Sequence, residues 1–260
     1  MKFAVTNGAN KAANLAFLAQ KWAASLQVPY ITRQKNEKIS LAVLLEENAL
    51  DCLLVATNRG PQLYSREGKL VYHPSMAVLR VEALLAGRED NFTKACALKP
   101  GMRFLDATLG LASDAAIAAF VVGVTGQVIG LEASKPLWFL VKRGLASYKC
   151  KNSSLTASLR RIIAIHAEAG EYLRTLPADS FDVVYFDPMF KFPIKASSSM
   201  QPLRPVSYAG RLNKNILQEA LRVAPRVVVK ERFWHILQQL GIEEICGGKY
   251  SRVQYGILRR

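Results

Sequence analysis

Four near-continuous apolar runs, each leaving a polar cluster at its C-terminal end, most constrain what this chain can fold into. They are Arg103 to Leu105 before Asp106, Gln127 to Leu131 before Glu132, Arg161 to Ile165 before His166, and Phe181 to Phe186 before Asp187. A strand apolar on both sides is a strand covered on both faces, as in a parallel sheet. Helical patterns separate these runs: an Ala-rich stretch from Ser113, Pro136 to Ser147, and Glu168 to Leu176. Further on come a helix over Asn213 to Val223, a strand over Arg226 to Lys230, a helix over Phe233 to Leu240 and a last strand or hairpin over Tyr250 to Leu258. Repeated β-α-β units predict an α/β fold with a mostly parallel, doubly wound sheet.

Residues 1–92 read differently, as a small N-terminal α+β domain ahead of the sheet domain at 93–260. A helical pattern (Ala13, Leu15, Ala16, Leu18, Ala19, Trp22) stops before Pro29. A β-like run follows over Leu50 to Ala56, then a hairpin from Gln62–Tyr64 to Lys69–Tyr72 through Gly68. Met76 to Leu85 is helical and closes on Gly87, and the charged segment from Arg88 to Asn91 marks the boundary. Four scattered cysteines without a C-x-x-C pair suit free thiols in a reducing compartment better than a disulfide framework or a zinc site. No metal is expected. The first residues lack an apolar leader, and the longest uncharged apolar stretch, Ala115 to Thr125, falls short of the roughly 20 residues that span a bilayer. A cytoplasmic protein without membrane contact is the expectation.

In an open parallel sheet, ligands bind beyond the carboxyl ends of the strands, where the strand order reverses. The loop from Asp106 through Thr108, Gly110, Ser113 and Asp114 holds one glycine and two carboxylates. A dinucleotide site would want three glycines around a pyrophosphate, which carboxylates repel. Carboxylates suit a cationic ligand, such as the sulfonium and ammonium groups of S-adenosylmethionine (SAM). Glu132, ending the next strand, is placed to accept ribose hydroxyls. His166 reads as a loop histidine rather than a ligand, and Glu168 also suits a first-turn acid on the helix dipole. Asp187-Pro188-Met189-Phe190 is the sharpest signal. An exocyclic amine of a base is a poor nucleophile because its lone pair is delocalised. Acceptors at the Asp187 carboxylate and the Pro188 carbonyl would favour a pyramidal nitrogen, and Phe190 would stack on the base.

Charge points to the partner. The chain carries 35 Lys and Arg against 20 Asp and Glu, a formal net charge of +15. Between Glu132 and Glu168 there are seven bases and no acid: Lys135, Lys142, Arg143, Lys149, Lys151, Arg160 and Arg161. Lys191, Lys195, Arg204, Arg211 and Lys214 follow Asp187, with Phe192 and Tyr208 interleaved. Such a rim suits tracking of RNA phosphates around the pocket. The pattern gives no indication of oligomeric state.

At these residues the sequence resembles the RsmJ family, SAM-dependent 16S rRNA guanine-N2 methyltransferases, and more closely its RsmJ-like relatives. The similar segments are FLDATLGLASDA (104–115), IHAEA (165–169), VVYFDPMFKFPIKAS (183–197) and RVVVK (226–230), spread through most of residues 100–260. The resemblance implies a class I methyltransferase, Rossmann-like fold with SAM as cofactor. It implies cofactor contacts at Ser113, Asp114, Glu132, Ala133, Glu168, Ala169 and Asp187. Residues 1–92, including Tyr72-His73-Pro74, match the rRNA enzymes poorly. The expected function is methylation of an exocyclic amine in RNA, guanine N2 of rRNA foremost. The alternatives are a methyltransferase acting on a small molecule or protein, and a non-catalytic RNA-binding protein on the same fold.

Overall fold

The computed structural model describes residues 1–8, 13–33, 40–188, 212–247 and 253–260. Its contacts divide the described residues into two units: those within 1–73 with 134–144, and those within 74–133 with 145–188 and 212–260.

The first unit carries a five-stranded sheet in the order β2-β1-β3-β4-β5. Its strands are β1 (Phe3–Asn7), β2 (Tyr30–Ile31), β3 (Cys52–Thr57), β4 (Gly60–Ser65) and β5 (Gly68–Val71). Helix α1 (Ala13–Leu26) links β1 to β2, and α2 (Leu41–Glu47) precedes β3. β1 runs parallel to both neighbours, while β3, β4 and β5 form an antiparallel meander. The expected hairpin is therefore present. Residues 134–144 supply most of helix α6 (Lys135–Ser147), whose Phe139 ring meets Trp22 edge-on at 5.2 Å. Gly144 is required there: a Cβ at that position would lie 2.0 Å from the Tyr72 ring.

The second unit holds the seven-stranded sheet, in the order β11-β12-β10-β9-β6-β7-β8. The strands are β6 (Arg103–Asp106), β7 (Gln127–Glu132), β8 (Ile162–His166), β9 (Val183–Phe186), β10 (Arg226–Glu231), β11 (Glu244–Cys246) and β12 (Gln254–Arg259). All neighbours pair in parallel except β12, which is antiparallel to both β10 and β11. β9 is buried throughout, as its four consecutive apolar residues require. The helices are α3 (Ala77–Leu85), α4 (Asn91–Cys96), α5 (Ser113–Val122), α7 (Ser153–Arg161), α8 (Ala169–Thr175), α9 (Lys214–Val223) and α10 (Trp234–Gln239).

Helix α5, apolar nearly all round, buries seven of its ten residues and so lies inside the unit rather than on its surface. α9 buries only the stripe Leu217, Ala220 and Val223, and Asn213 caps it by accepting from the Ile216 N–H. The unit begins at residue 74, whereas the sequence expectation placed the boundary after 92. The reason is α3, which packs on α5 and whose Arg80 pairs with Asp114 at the start of that helix. Beyond it, Asp90 caps α4, whose Phe92 is fully buried against Tyr185 (4.9 Å between ring centroids) and Phe104 (5.9 Å). Burying one such ring stabilises by about 1.5–3 kcal/mol. Among the described residues, no helix is long and apolar enough to cross a membrane.

Candidate active site

The strand order reverses at β6, which has β7 and β8 on one side and β9 and β10 on the other. The carboxyl ends of β6, β7 and β9 therefore converge, and with them Asp106, Glu132 and Asp187. In register, Asp106 stands between Gly130 and Tyr185, two residues short of Asp187.

The loop after β6 is shaped for close approach. Asp106 is buried, and its Oδ1 accepts the Thr108 N–H at 3.0 Å. Burial first, and then the charges of Asp114 and Asp187, push its carboxyl well above the usual range against the pull of that N–H. Gly110 sits at φ +49°, where a Cβ would find only the Thr108 carbonyl, 3.9 Å away. Its N–H donates to Glu132 Oε2 at 3.1 Å, joining the loop to the end of β7. Ala112 has φ +61°, a left-handed backbone that an alanine adopts only under strain of about 1–2 kcal/mol. Strain of this kind gathers at functional loops.

Ser113 and Asp114 open α5. Ser113 Oγ donates to the Pro74 carbonyl at 3.2 Å. Asp114 faces a buried polar cluster: Arg80 Nη1 at 2.5 Å, Lys230 Nζ at 3.0 Å and the Tyr185 hydroxyl at 2.8 Å. Burial alone would raise its pKa, but Lys230 and Arg80 bring it down to about 2. Arg80 is in turn held by both oxygens of Asp90.

Asp187 leaves β9 with its N–H donated to Thr108 Oγ1 and its Oδ2 2.8 Å from Lys230 Nζ. Lys230 thus bridges two carboxylates. Burial foremost, with the negative charge of Asp114, lifts Asp187 to about 6 against the pull of Lys230. Its side chain keeps 30% exposure against 7% for Asp114, so of the two carboxylates Asp187 is the one that reaches toward solvent. Burial opposes the charge on Lys230, but the two carboxylates outweigh it and hold the ammonium above an ordinary lysine.

The ends of β7 and β8 complete the rim. The Glu132 carbonyl accepts the Ala167 N–H at 3.2 Å, and His166 Nε2 lies 3.1 Å from the Ala133 carbonyl, a structural contact for this histidine. Glu168 Oε2 caps α8 by accepting the Glu171 N–H at 2.8 Å, and Ala169 starts that helix. The structure so brings together Asp106, Thr108, Gly110, Glu132 and Asp187 through direct bonds, while Ser113, Asp114 and Glu168 hold local structure. Pro188 is half-buried behind Asp187. Met189, Phe190 and the bases from Lys191 to Arg211 lie outside the described residues. Lys230, Arg80 and Tyr185 were not singled out from sequence; the only hint was a lysine ending the apolar run RVVVK.

The donor set fits SAM: carboxylates rather than phosphate-binding amides gather at the switch point, with Glu132 joined to the Gly110 loop at the end of β7.

Comparison with known proteins agrees. A family described as "Putative SAM-dependent methyltransferase" matches residues 33–253. The protein YpiP of Bacillus subtilis, itself uncharacterised, is 35% identical over 244 residues, covering 93% of both chains. Ribosomal RNA small subunit methyltransferase J of Francisella tularensis is 32% identical over 139 residues, 51% of this chain and 55% of the relative. The enzyme of that name from Acinetobacter baumannii is 28% identical over 158 residues, 55% of each chain. This chain thus matches only about half the length of these rRNA enzymes. A crystal structure of a SAM-dependent methyltransferase from Neisseria gonorrhoeae superposes with a TM-score of 0.58 at 16% identity, over 98% of this chain and 95% of that one.

The fold is the Rossmann-like one of class I methyltransferases, and the family match gives SAM as the cofactor. The chain belongs to the SAM-dependent methyltransferase family matched over residues 33–253.

Proposed function

We propose that the protein methylates an exocyclic amino nitrogen of a base in RNA, with guanine N2 of rRNA the favoured target. The observation that carries this is Asp187 at the end of β9, its N–H donated to Thr108 Oγ1 and its half-buried carboxylate held by Lys230. When bound, SAM supplies an electrophilic methyl group on a positively charged sulfur. Glu132 and the Gly110 loop bind and orient its ribose and amino acid ends, Ser113, Ala133, Glu168 and Ala169 shape the walls, and Asp114, turned inward, anchors Lys230 behind Asp187. Asp187 accepts one amine N–H and the Pro188 carbonyl the other, which localises the nitrogen lone pair toward the methyl. After transfer the nitrogen sheds its extra proton through Asp187 to water. Phe190 stacks on the base. Such catalysis rests on positioning and fixed charge. The rRNA methyltransferases similar over half their length support an RNA substrate, and exposed Lys149 and Lys151 suit phosphate contacts in the cytoplasm.

Deletion of the gene should remove a single N2-methylguanosine from rRNA, read by nucleoside mass spectrometry. Unchanged methylation would refute this target. The pH profile gives a second check. Below its pKa of about 6 Asp187 is protonated and has lost the charge that draws the amine. In the free enzyme kcat/KM should therefore rise with pH and level off above about 6, falling about tenfold per unit below it. A profile flat between pH 5 and 7 would remove Asp187 from the acceptor role.

A further inference from the structure

The chain leaves β10 two residues beyond the Asp187 partner Lys230, and there it reads Arg232-Phe233-Trp234-His235. We propose that this segment is a stacking platform for an unpaired RNA base flanking the target nucleotide. The inference rests on the RNA substrate proposed above.

Four observations carry it. Trp234 is 53% exposed, whereas Trp22 is buried and Trp138 half-buried, so this indole leaves much of its ring to solvent. The aromatic groups are clustered: the Phe233 and His235 rings lie 5.5 Å apart, and those of Trp234 and His235 6.5 Å. The Arg232 guanidinium stands 5.2 Å from the Phe233 ring centre, a cation alongside a π surface. The backbone beneath is pinned on both sides. Buried Glu231 accepts the N–H groups of Arg232 (2.6 Å) and Phe233 (3.4 Å). Leu237 and Ile242, both fully buried, seat α10 so tightly against β12 that a Cβ on Gly256 would lie 2.8 Å from each.

A rigid, exposed aromatic with an arginine beside it suits a nucleobase and its phosphate, because every base has a π face and every linkage a negative charge. An apolar protein surface would instead have to cover Arg232, His235 and the exposed Gln238 and Gln239. Distance agrees as well. Trp234 lies four residue steps from Lys230, at most about 14 Å of chain, a few nucleotide steps along a strand.

The test is fluorescence anisotropy with a labelled 12-nucleotide single-stranded oligoribonucleotide, alongside calorimetry with SAM. Trp234→Ala should bind the oligonucleotide about 5- to 150-fold more weakly, Phe233→Ala less so. Trp234→Phe should restore most of the affinity, since a ring and not the indole N–H is what the base needs. SAM affinity should stay within twofold throughout, which certifies folding. Heparin, a polyanion without bases, should bind wild type and Trp234→Ala alike. Unchanged oligonucleotide binding by Trp234→Ala would overturn the platform and assign the exposed indole to a protein partner. Equal losses for heparin would also overturn it. If the wild type itself fails to bind the oligonucleotide, the RNA substrate falls and the platform with it.

Discussion

Asp187→Asn should lower kcat by about 10²- to 10³-fold while SAM affinity changes little, the cost of removing one fixed charge aimed at a reacting group. Asparagine matches the shape and still presents an oxygen. It lacks the negative charge that pulls on the amine N–H and that receives the proton after transfer. The variant should also lose the rising limb of kcat/KM near pH 6, since no titrating group remains at that position. Single-turnover methylation with saturating SAM measures the first effect. A kcat within threefold of wild type would show that binding and proximity alone drive the reaction.

Lys230→Met should destabilise the protein by about 3–5 kcal/mol at neutral pH, because it strips a buried bridge from two carboxylates and leaves them facing each other. The loss should shrink in acid. In the wild type, Asp114 titrates at about 2, below an unfolded value near 3.9, so its stabilisation is present above pH 4 and fades as pH falls toward 2. Asp187, at about 6, has the opposite sign: it favours folding below pH 4, and that contribution disappears as pH rises through 6. Without Lys230 both carboxyls hold their protons more firmly, and protonation removes the repulsion. Urea unfolding at pH 7.5 and pH 5 separates the two cases. An equal loss at both would mean that Lys230 acts through packing alone. Lys230→Arg keeps the charge and should recover much of the stability.

Much of the second sheet was legible because strands buried on both faces must be written as apolar runs. Phe104-Leu105, Val128 to Leu131 and Val183 to Phe186 announce themselves, and the acids at their ends mark the ligand edge. Other elements escaped for equally physical reasons. β1 is only Phe3–Asn7, too short for a period to register, and it is anchored by two parallel neighbours far along the chain. α7 reads as polar because only Leu155, Ser158 and Leu159 of its residues turn inward. α4 is held by tertiary burial of Phe92, which no local pattern reports. β11 appears only because β12 inserts antiparallel beside β10 and offers an edge.

In the site, the acids were visible and their partners were not. Asp114 looks in sequence like another rim carboxylate, yet Arg80, Tyr185 and Lys230 turn it inward from three separate elements. Pairing a lysine at 230 with an aspartate at 187 requires knowing that β10 lies beside β9. Arg160 and Arg161, read as part of a basic rim, donate to backbone carbonyls of Leu145, Tyr148 and Ala119. Charge patterning places cations in sequence without revealing which of them the fold itself employs.

Isothermal titration calorimetry of the wild type and of Glu132→Gln with SAM tests the acidic rim most directly. The wild type should bind one equivalent, and Glu132→Gln about 10- to 100-fold more weakly, the worth of a hydrogen bond to a charged acceptor. Equal affinities for the two proteins, or no heat with folded wild type, would contradict a cofactor held by carboxylates at the strand ends.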